Sequence, residues 1–281
     1  MKNILITGAG SYIGSHIAAS LPKAQYNVRQ LDVRGGLDET AFEGQDAVIH
    51  VAGIAHQKET PENAPLYHKV NCELAVQAAR MAKQKGVKQF VFFSSMSVYG
   101  MTTGHITAQT HPAPNTHYGQ SKWDAEQQMA ELADDTFRIA TLRPPMIYGK
   151  DCRGNYPRLA ALARKLPLFP QVNNQRSMLY IGTLCAFVEK LLESGKGGLY
   201  FPQNREYVNT TRMVRAIARC HGRKMLVIPG FGWLIALMAG RVSVAGKVFG
   251  TLTYDLSMSQ AFADAGQMSF EDTIQMTEDE R

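Results

Sequence analysis

Cysteine is scarce. Four in 281 residues, Cys72, Cys152, Cys185 and Cys220, lie too far apart to form any CxxC pair. That spacing argues against a structural zinc site or a disulfide framework and fits a reducing interior, so a cytoplasmic protein is expected. Charge is thin at 19%, and although 30 basic residues outnumber 24 acidic ones, no five like charges run together. Nucleic acid is therefore not an expected partner; the net +6 fits an anionic small ligand or an anionic membrane surface. Internal repeats and low-complexity tracts are lacking, and the sequence opens on a short apolar segment that reads as a strand, so no secretory leader is expected. The most apolar stretch, 225–240, is broken by Pro229, Gly230 and Gly232. It falls short of the ~18–20 residues that cross a bilayer. What remains is an ordinary globular chain, 45% hydrophobic and long enough for one large domain or two unequal ones.

Against that background the opening stands out. Ile4-Leu-Ile6 is a short continuous apolar run, as expected for a parallel strand buried on both faces. TGAGSYIG follows at 7–14, and Ile13, Ile17, Ala18 and Leu21 recur at helical spacing, which starts a helix near Ser11–Tyr12. Gly8 and Gly10 allow a tight bend and close approach to a pyrophosphate, and Gly14 lets the helix pack on the strand. The free N–H groups at the helix start, around Ser11, Tyr12 and Ile13, then face the anion. Alone, the motif also fits a plain glycine-rich strand–helix turn.

The discriminating residue lies downstream. Val28-Arg-Gln-Leu31 reads as a second strand closed by Asp32, 18 residues beyond Gly14. This is near the ~20-residue separation expected of a carboxylate that accepts hydrogen bonds from an adenosine ribose. Such a carboxylate repels a 2′-phosphate, which favours NAD over NADP; Arg34, two residues on, is the residue that would favour NADP.

Further along, strand and helix alternate. Asp46–Gly53 reads as a third strand ending in the small residues Ala52 and Gly53, after a crossover of only 13 residues. Val70, Leu74, Ala78, Met81 and Ala82 mark a helix with Gly86 as its C-cap. Residues 87–93 form a fourth strand, 101–116 a loop, and 137–142 a fifth strand, with a helix around Tyr118 and Lys122 between them. The fold class is α/β, a Rossmann-type doubly wound parallel sheet. Beyond Gly149, prolines 157, 167 and 170 punctuate short segments, 184–192 reads as a core-facing helix, and 199–201 as a strand rejoining the sheet. Residues 1–150, with 176–201 returning to them, are therefore expected to bind a dinucleotide. Residues 151–175 and 202–281 are expected to form a smaller substrate lobe.

Tyr118-Gly-Gln-Ser-Lys122 puts a phenol and an ammonium four apart, on one helical face. An ammonium beside a phenol stabilises the phenolate, as would an oxidised nicotinamide close by, and so makes tyrosine a usable general base near neutral pH. The same spacing is common on amphipathic helices. The hydroxyls of Ser94 and Ser95 at the preceding strand end tip the balance, since there they would face the cofactor crevice. Other residues have plainer readings. His50 reads as a satisfied core histidine, Asn71 as a hydrogen-bonding partner of backbone near the site, Arg143 as a strand-end ion pair, and Cys152 as inert.

In sum the chain resembles the extended short-chain dehydrogenase/reductase family, in its NAD-dependent sugar-nucleotide epimerase/dehydratase branch. The resemblance rests on TGAGSYIG, DAVIHVAG, Val70-Asn71, GVKQFVFFSSMSVYG, YGQSK, LRPPMIYG, RSMLYIGTL and GGLYFPQNREYVNT, and covers most of the chain. It implies Ser95, Tyr118 and Lys122 as catalytic residues, with Ser95 on the reacting sugar oxygen and Lys122 also on the nicotinamide ribose. Cofactor contacts are implied for Gly8, Gly10, Ser11, Tyr12, Ile13, Gly14, Asp32, Ala52, Gly53, Asn71 and Pro144. Arg176 would meet the substrate diphosphate, and Asn155, in an Arg-Gly-Asn-Tyr segment similar to that of surface-polysaccharide members, would contact substrate. Three departures stand out. Ser11 replaces a glycine, Thr183 replaces an aspartate and is expected to cap the following helix, and Met96-Ser97 replace the Asp-Glu pair of dehydratases. The expected activity is NAD-dependent nucleotide-sugar 4-epimerisation; the alternatives are an NAD(P)H-dependent 4-keto-sugar reductase and a non-catalytic NAD sensor or scaffold. Expected partners are a nucleotide-sugar or polyprenyl-diphosphate-sugar substrate, a second copy in a homodimer, and a membrane touched peripherally through 225–240.

Overall fold

The short apolar runs become the centre of the molecule. In the computed structural model, which describes residues 1–55, 57, 59–230 and 249–279, six strands pair in parallel. They are β1 (Lys2–Thr7), β2 (Tyr26–Leu31), β3 (Ala47–His50), β4 (Gln89–Phe93), β6 (Arg138–Leu142) and β10 (Gly198–Tyr200), in the order β10-β6-β4-β3-β1-β2. The two-residue alternation sorts their side chains. Ile4, Ile6, Ile49, Val91 and Leu142 enter one apolar cluster and Leu5, Val48, Phe90 and Phe92 the other. Both faces are covered, which is why β1, β3 and β4 read as unbroken hydrophobic runs.

Helix α1 (Tyr12–Ser20) packs beside α6 (Ile181–Ser194) on the first cluster. On the other face lie α3 (Leu74–Gln84) and α4 (His117–Ala130). The link from Asp32 to Asp46 holds a single 3₁₀ turn, Glu39–Phe42, so no outer strand follows β2, which is left as the sheet edge. The chain leaves β1 for β2 on one side and returns to β3 on the other. A switch of this kind opens a crevice at the carboxyl ends of the strands.

Three readings of the sequence need correction. The helix expected to begin near Val70 starts earlier, as α2 (Ala64–His68), and passes through a π-helical turn, Lys69–Glu73, into α3. Pro65 does not prevent this, because it occupies the first turn, where its missing N–H costs nothing. The loop over 101–116 contains β5 (Gly104–Ile106), which pairs with β12 (Leu252–Tyr254). Strands of three residues carry no readable period, and their partners lie far apart in sequence. Thr183 does not cap α6, whose cap is Tyr180; its hydroxyl donates instead to the carbonyl of Gly266 at 3.0 Å.

The second half is also more regular than its sequence suggests. It contains β7 (Met146–Tyr148), α5 (Asn155–Lys165), β8 (Leu168–Pro170), β9 (Met178–Tyr180), α7 (Thr210–Cys220), β11 (Leu226–Ile228) and α8 (Phe270–Glu278). Strand β7 pairs with β9 and β8 with β11, and α7 packs against both α5 and α8. Glu278 is fully buried, accepting hydrogen bonds from Tyr156 at 2.9 Å and Arg164 at 3.1 Å and pairing with His221 at 2.7 Å. Most of the apolar stretch at 225–240 lies outside the described residues.

Candidate active site

Where β1 ends, Gly8 has φ +102°, and a Cβ there would stand 2.9 Å from the backbone nitrogen of Ala52 after β3. Only glycine lets these two turns cross so closely. A Cβ on Gly14 would meet Ser11 Oγ at 2.7 Å and Val51 at 3.0 Å, so α1 rests directly on the sheet. Ser11 caps α1, its Oγ accepting from the Gly14 N–H at 3.2 Å, which accounts for its place in a glycine's stead. The first-turn amides of Tyr12 and Ile13 have no intrahelical acceptor, and the space above Gly10 is open. Bare backbone, an open side and a helix N-terminus suit a pyrophosphate.

Asp32 ends β2 half-exposed. Its carboxylate is held by the backbone N–H of Arg34 at 3.0 Å and by the Arg34 guanidinium at 2.5 Å. These bonds hold the carboxyl at about 2. The two residues that pull cofactor choice in opposite directions therefore neutralise each other.

The Tyr118–Lys122 pair is carried by α4. Thr116 caps it, and the Glu59 carboxylate accepts from the backbone N–H of His117 at 2.8 Å and of Tyr118 at 3.2 Å, where an anion complements the helix dipole. Tyr118, Lys122 and Glu126 then follow at four-residue intervals on one side. Lys122 is buried beside Gly53, its Nζ donating to the carbonyl of Phe93 at 2.7 Å. Burial brings its pKa down to about 8, opposed by the charge of Glu126. The Tyr118 phenol is pushed up by burial, while a hydrogen bond with Ser95 works the other way. The residue that eases phenol ionisation within the protein is Ser95, and Lys122 is tied to the β4 backbone.

Ser95 lies two residues beyond the end of β4 and caps the 3₁₀ turn Met96–Tyr99, its Oγ accepting from the Ser97 N–H at 3.1 Å. The Met96 N–H donates to the carbonyl of Pro144 at 3.0 Å, which ties the ends of β4 and β6 together. Beneath them lies a network that the sequence reading missed. Glu126 accepts from Ser94 Oγ and from Arg143 at 2.5 to 3.1 Å, and Arg143 donates to the Tyr99 hydroxyl at 2.8 Å. Both charges are only 6% exposed. Arg143 is thus a strand-end ion pair as expected, with the partner now identified. The signal was available: Glu126 continues the Tyr118–Lys122 spacing by one more step.

Asn71 sits within the π turn. Its Oδ1 accepts from the Ile54 N–H at 2.8 Å, and its Nδ2 donates to the Ile54 carbonyl and to Ser121 Oγ, both at 3.1 Å. The extra residue per turn aims this amide at the chain leaving β3 and at α4 together. His50 is half satisfied: Nδ1 meets Thr7 Oγ1 at 2.8 Å, while Nε2 is buried without a partner among the described residues. Burial and the charge of Lys122 lower its pKa to about 3, so it stays neutral. No trio of His, Cys, Asp or Glu is placed to hold a metal ion among the described residues.

Arg176 and Asn155 meet in a separate small cleft, walled by Met146, Leu159, Met178 and Met213. Arg176 donates to the carbonyl of Gly250 at 2.8 Å, yet its Nε is buried with no partner among the described residues, and desolvation brings its pKa down to about 10. A buried guanidinium with an unused N–H is suited to an anionic ligand.

A family model described as NAD dependent epimerase/dehydratase family matches residues 4–201. A UDP-glucose 4-epimerase of Vibrio cholerae is 28% identical, over 91% of this chain and 88% of that protein. An N-acetyl-alpha-D-glucosaminyl-diphospho-ditrans,octacis-undecaprenol 4-epimerase of Escherichia coli O157:H7 is 27% identical, over 79% and 73% respectively. Among solved structures, UDP-glucuronic acid 4-epimerase from Bacillus cereus in complex with NAD superposes with a TM-score of 0.77 at 19% identity, covering 99% of this chain and 96% of that one. At that identity the likeness establishes a shared fold.

Proposed function

Because the chain belongs to the NAD-dependent epimerase/dehydratase family, we propose that it is an NAD-dependent 4-epimerase of a diphosphate-linked sugar, with a nucleotide sugar as the favoured substrate and a polyprenyl-diphosphate sugar as the alternative. The observation that carries the reading is the placement of Tyr118 and Lys122 one turn apart on α4, with Lys122 buried against the end of β4 and Ser95 near enough to the phenol to ease its ionisation. NAD would be held by the Gly8–Gly14 turn, Asp32, Ala52, Gly53, Asn71, Lys122 and Pro144, and supplies hydride acceptance and return. Tyr118 takes the proton of the C4 hydroxyl and later gives it back. Ser95 hydrogen-bonds the same oxygen and steadies the phenolate. Lys122, fixed on the Phe93 carbonyl, adds positive charge behind the reacting groups. Arg176 and Asn155 take the diphosphate side of the substrate, in the cleft where the lobe formed by 151–175 and the residues after 202 meets the segment 176–201.

Elimination of water is disfavoured. Met96 and Ser97 stand directly after Ser95, and neither can serve as acid or base. A one-way 4-keto-sugar reductase is the second reading, favoured by the exposed Arg34 guanidinium, which meets a 2′-phosphate if it turns away from Asp32. Denaturing purified protein and identifying the nucleotide released separates the two. Tightly held NAD, with interconversion of C4 epimers by the intact protein, is expected. A site that releases nothing and prefers NADPH would replace the epimerase with the reductase.

A further inference from the structure

Ten large hydrophobic side chains are exposed among the described residues, and four of them fall in one place. Leu162 and Leu166 are 40% and 42% exposed at the C-terminal end of α5, and Leu168 and Leu226 are 45% and 64% exposed on β8 and β11. Leu168 and Leu226 are register partners in a parallel pair, so they stand side by side on one face. Arg158 shares the outer side of α5 with Leu162, one turn away, while Leu159, Ala160 and Ala163 turn inward to the core. Single exposed leucines need no explanation; a contiguous group of them does.

The charges around this group are of one sign. Arg158 and Lys165 flank the α5 leucines, and Arg223 and Lys224 lead into β11. All four are exposed, and none has an ion-pair partner among the described residues. The two stretches that build this face carry no counter-charge of their own: residues 152–188 and 207–254 contain no Asp or Glu at all. The acid that reaches α5, Glu278, is buried and already engaged by Arg164 and His221. Solubility alone does not call for this arrangement, since the rest of the surface mixes both signs in pairs such as Lys83–Asp134, Lys85–Glu43 and Arg205–Asp264.

We propose that the face built from the outer side of α5 with β8 and β11 docks on an anionic lipid bilayer. Leucines entering the interface behind a rim of cations are the two ingredients that reversible peripheral binding requires. A polar or acidic protein surface would leave the leucines uncovered. The inner side of α5 carries Asn155 and Leu159 in the Arg176 cleft, so docking sets that cleft close to the lipid surface. The inference goes beyond the epimerase reading and does not depend on it.

The test is co-sedimentation of the full chain with vesicles of phosphatidylcholine alone, and of phosphatidylcholine with roughly a third phosphatidylglycerol. Binding is expected on the anionic vesicles at low salt, falling at high salt, and not on the neutral ones. Replacing Leu168→Glu and Leu226→Glu together, or Arg158→Glu and Lys165→Glu together, should cut the bound fraction about tenfold with an unchanged thermal melt. Leu199→Glu, at an exposed leucine on β10, should leave binding intact. Failure to sediment with anionic vesicles at low salt overturns the proposal. So does light scattering that shows a dimer split by the Leu168/Leu226 variant, which would make the face a contact between two copies.

Discussion

The phenol of Tyr118 keeps its proton more firmly than free tyrosine does, and Ser95 only partly offsets this. A residue in that position is useful as a proton carrier rather than as a standing anion. Tyr118→Phe retains the packing and removes the carrier, so turnover should drop by at least ~10²-fold while nucleotide affinity, read by fluorescence titration, stays close to wild type. Retention of more than about a tenth of the rate would remove Tyr118 from the chemistry. Lys122 adds a pH signature. With its pKa brought from 10.5 to about 8, the ammonium is lost as pH rises through 8, and activity that needs the charge should fall there. Stability moves the opposite way. Between about 8 and 10.5 the unfolded chain binds the proton and the folded one does not, so this lysine's contribution to stability rises with pH across that window. Opposite trends of activity and melting temperature above pH 8 would single out this group.

At the scale of elements, Glu126 joins three of them: α4 carries it, β4 ends in its partner Ser94, and β6 ends in its partner Arg143. It acts as a positioning residue, because it also supports the charge of Lys122 one turn away. Glu126→Gln should therefore move the alkaline limb of the activity profile to lower pH as well as lower the melting temperature. Breaking a buried pair of this kind costs about 3–5 kcal/mol. A residue that only stabilised the fold would lower the melt and leave the limb where it was. Which elements the sequence discloses follows the same logic of locality. β1, β3, β4 and the helix of Tyr118 are legible because burial on both sheet faces, or on one helix face, leaves a period within a few residues. The β5–β12 pair, the π turn at Asn71 and the Thr183–Gly266 contact depend on partners distant in sequence or on one extra residue in a turn. No window of neighbouring residues encodes them.

For the whole molecule, strand order decides which parts of the site are costly to alter. The first half of the chain supplies the groups gathered at the carboxyl ends of β1, β3, β4 and β6, and their motifs were readable because each sits where a strand must end. The lobe beside the Arg176 cleft was legible only in outline, since its small strand pairs and the buried Glu278 that ties α8 to α5 leave no local trace, and the role of Arg176 itself was legible only as a resemblance. The short link after β2 has one more effect. With no strand beyond it, Asp32 and Arg34 stand at a rim that the core does not touch, and both side chains face solvent. Asp32→Ala should weaken NAD and improve NADP binding, shifting the ratio of the two dissociation constants. The melting temperature should stay within about a degree, as for surface changes generally. An unchanged ratio would assign selectivity to the loop backbone instead. In evolutionary terms the cofactor preference is then free to drift. A lineage could exchange one dinucleotide for the other by substitution at this rim, with no compensating change inside the protein, whereas Tyr118 and Lys122 sit on a helix locked to the core through Glu126 and Arg143.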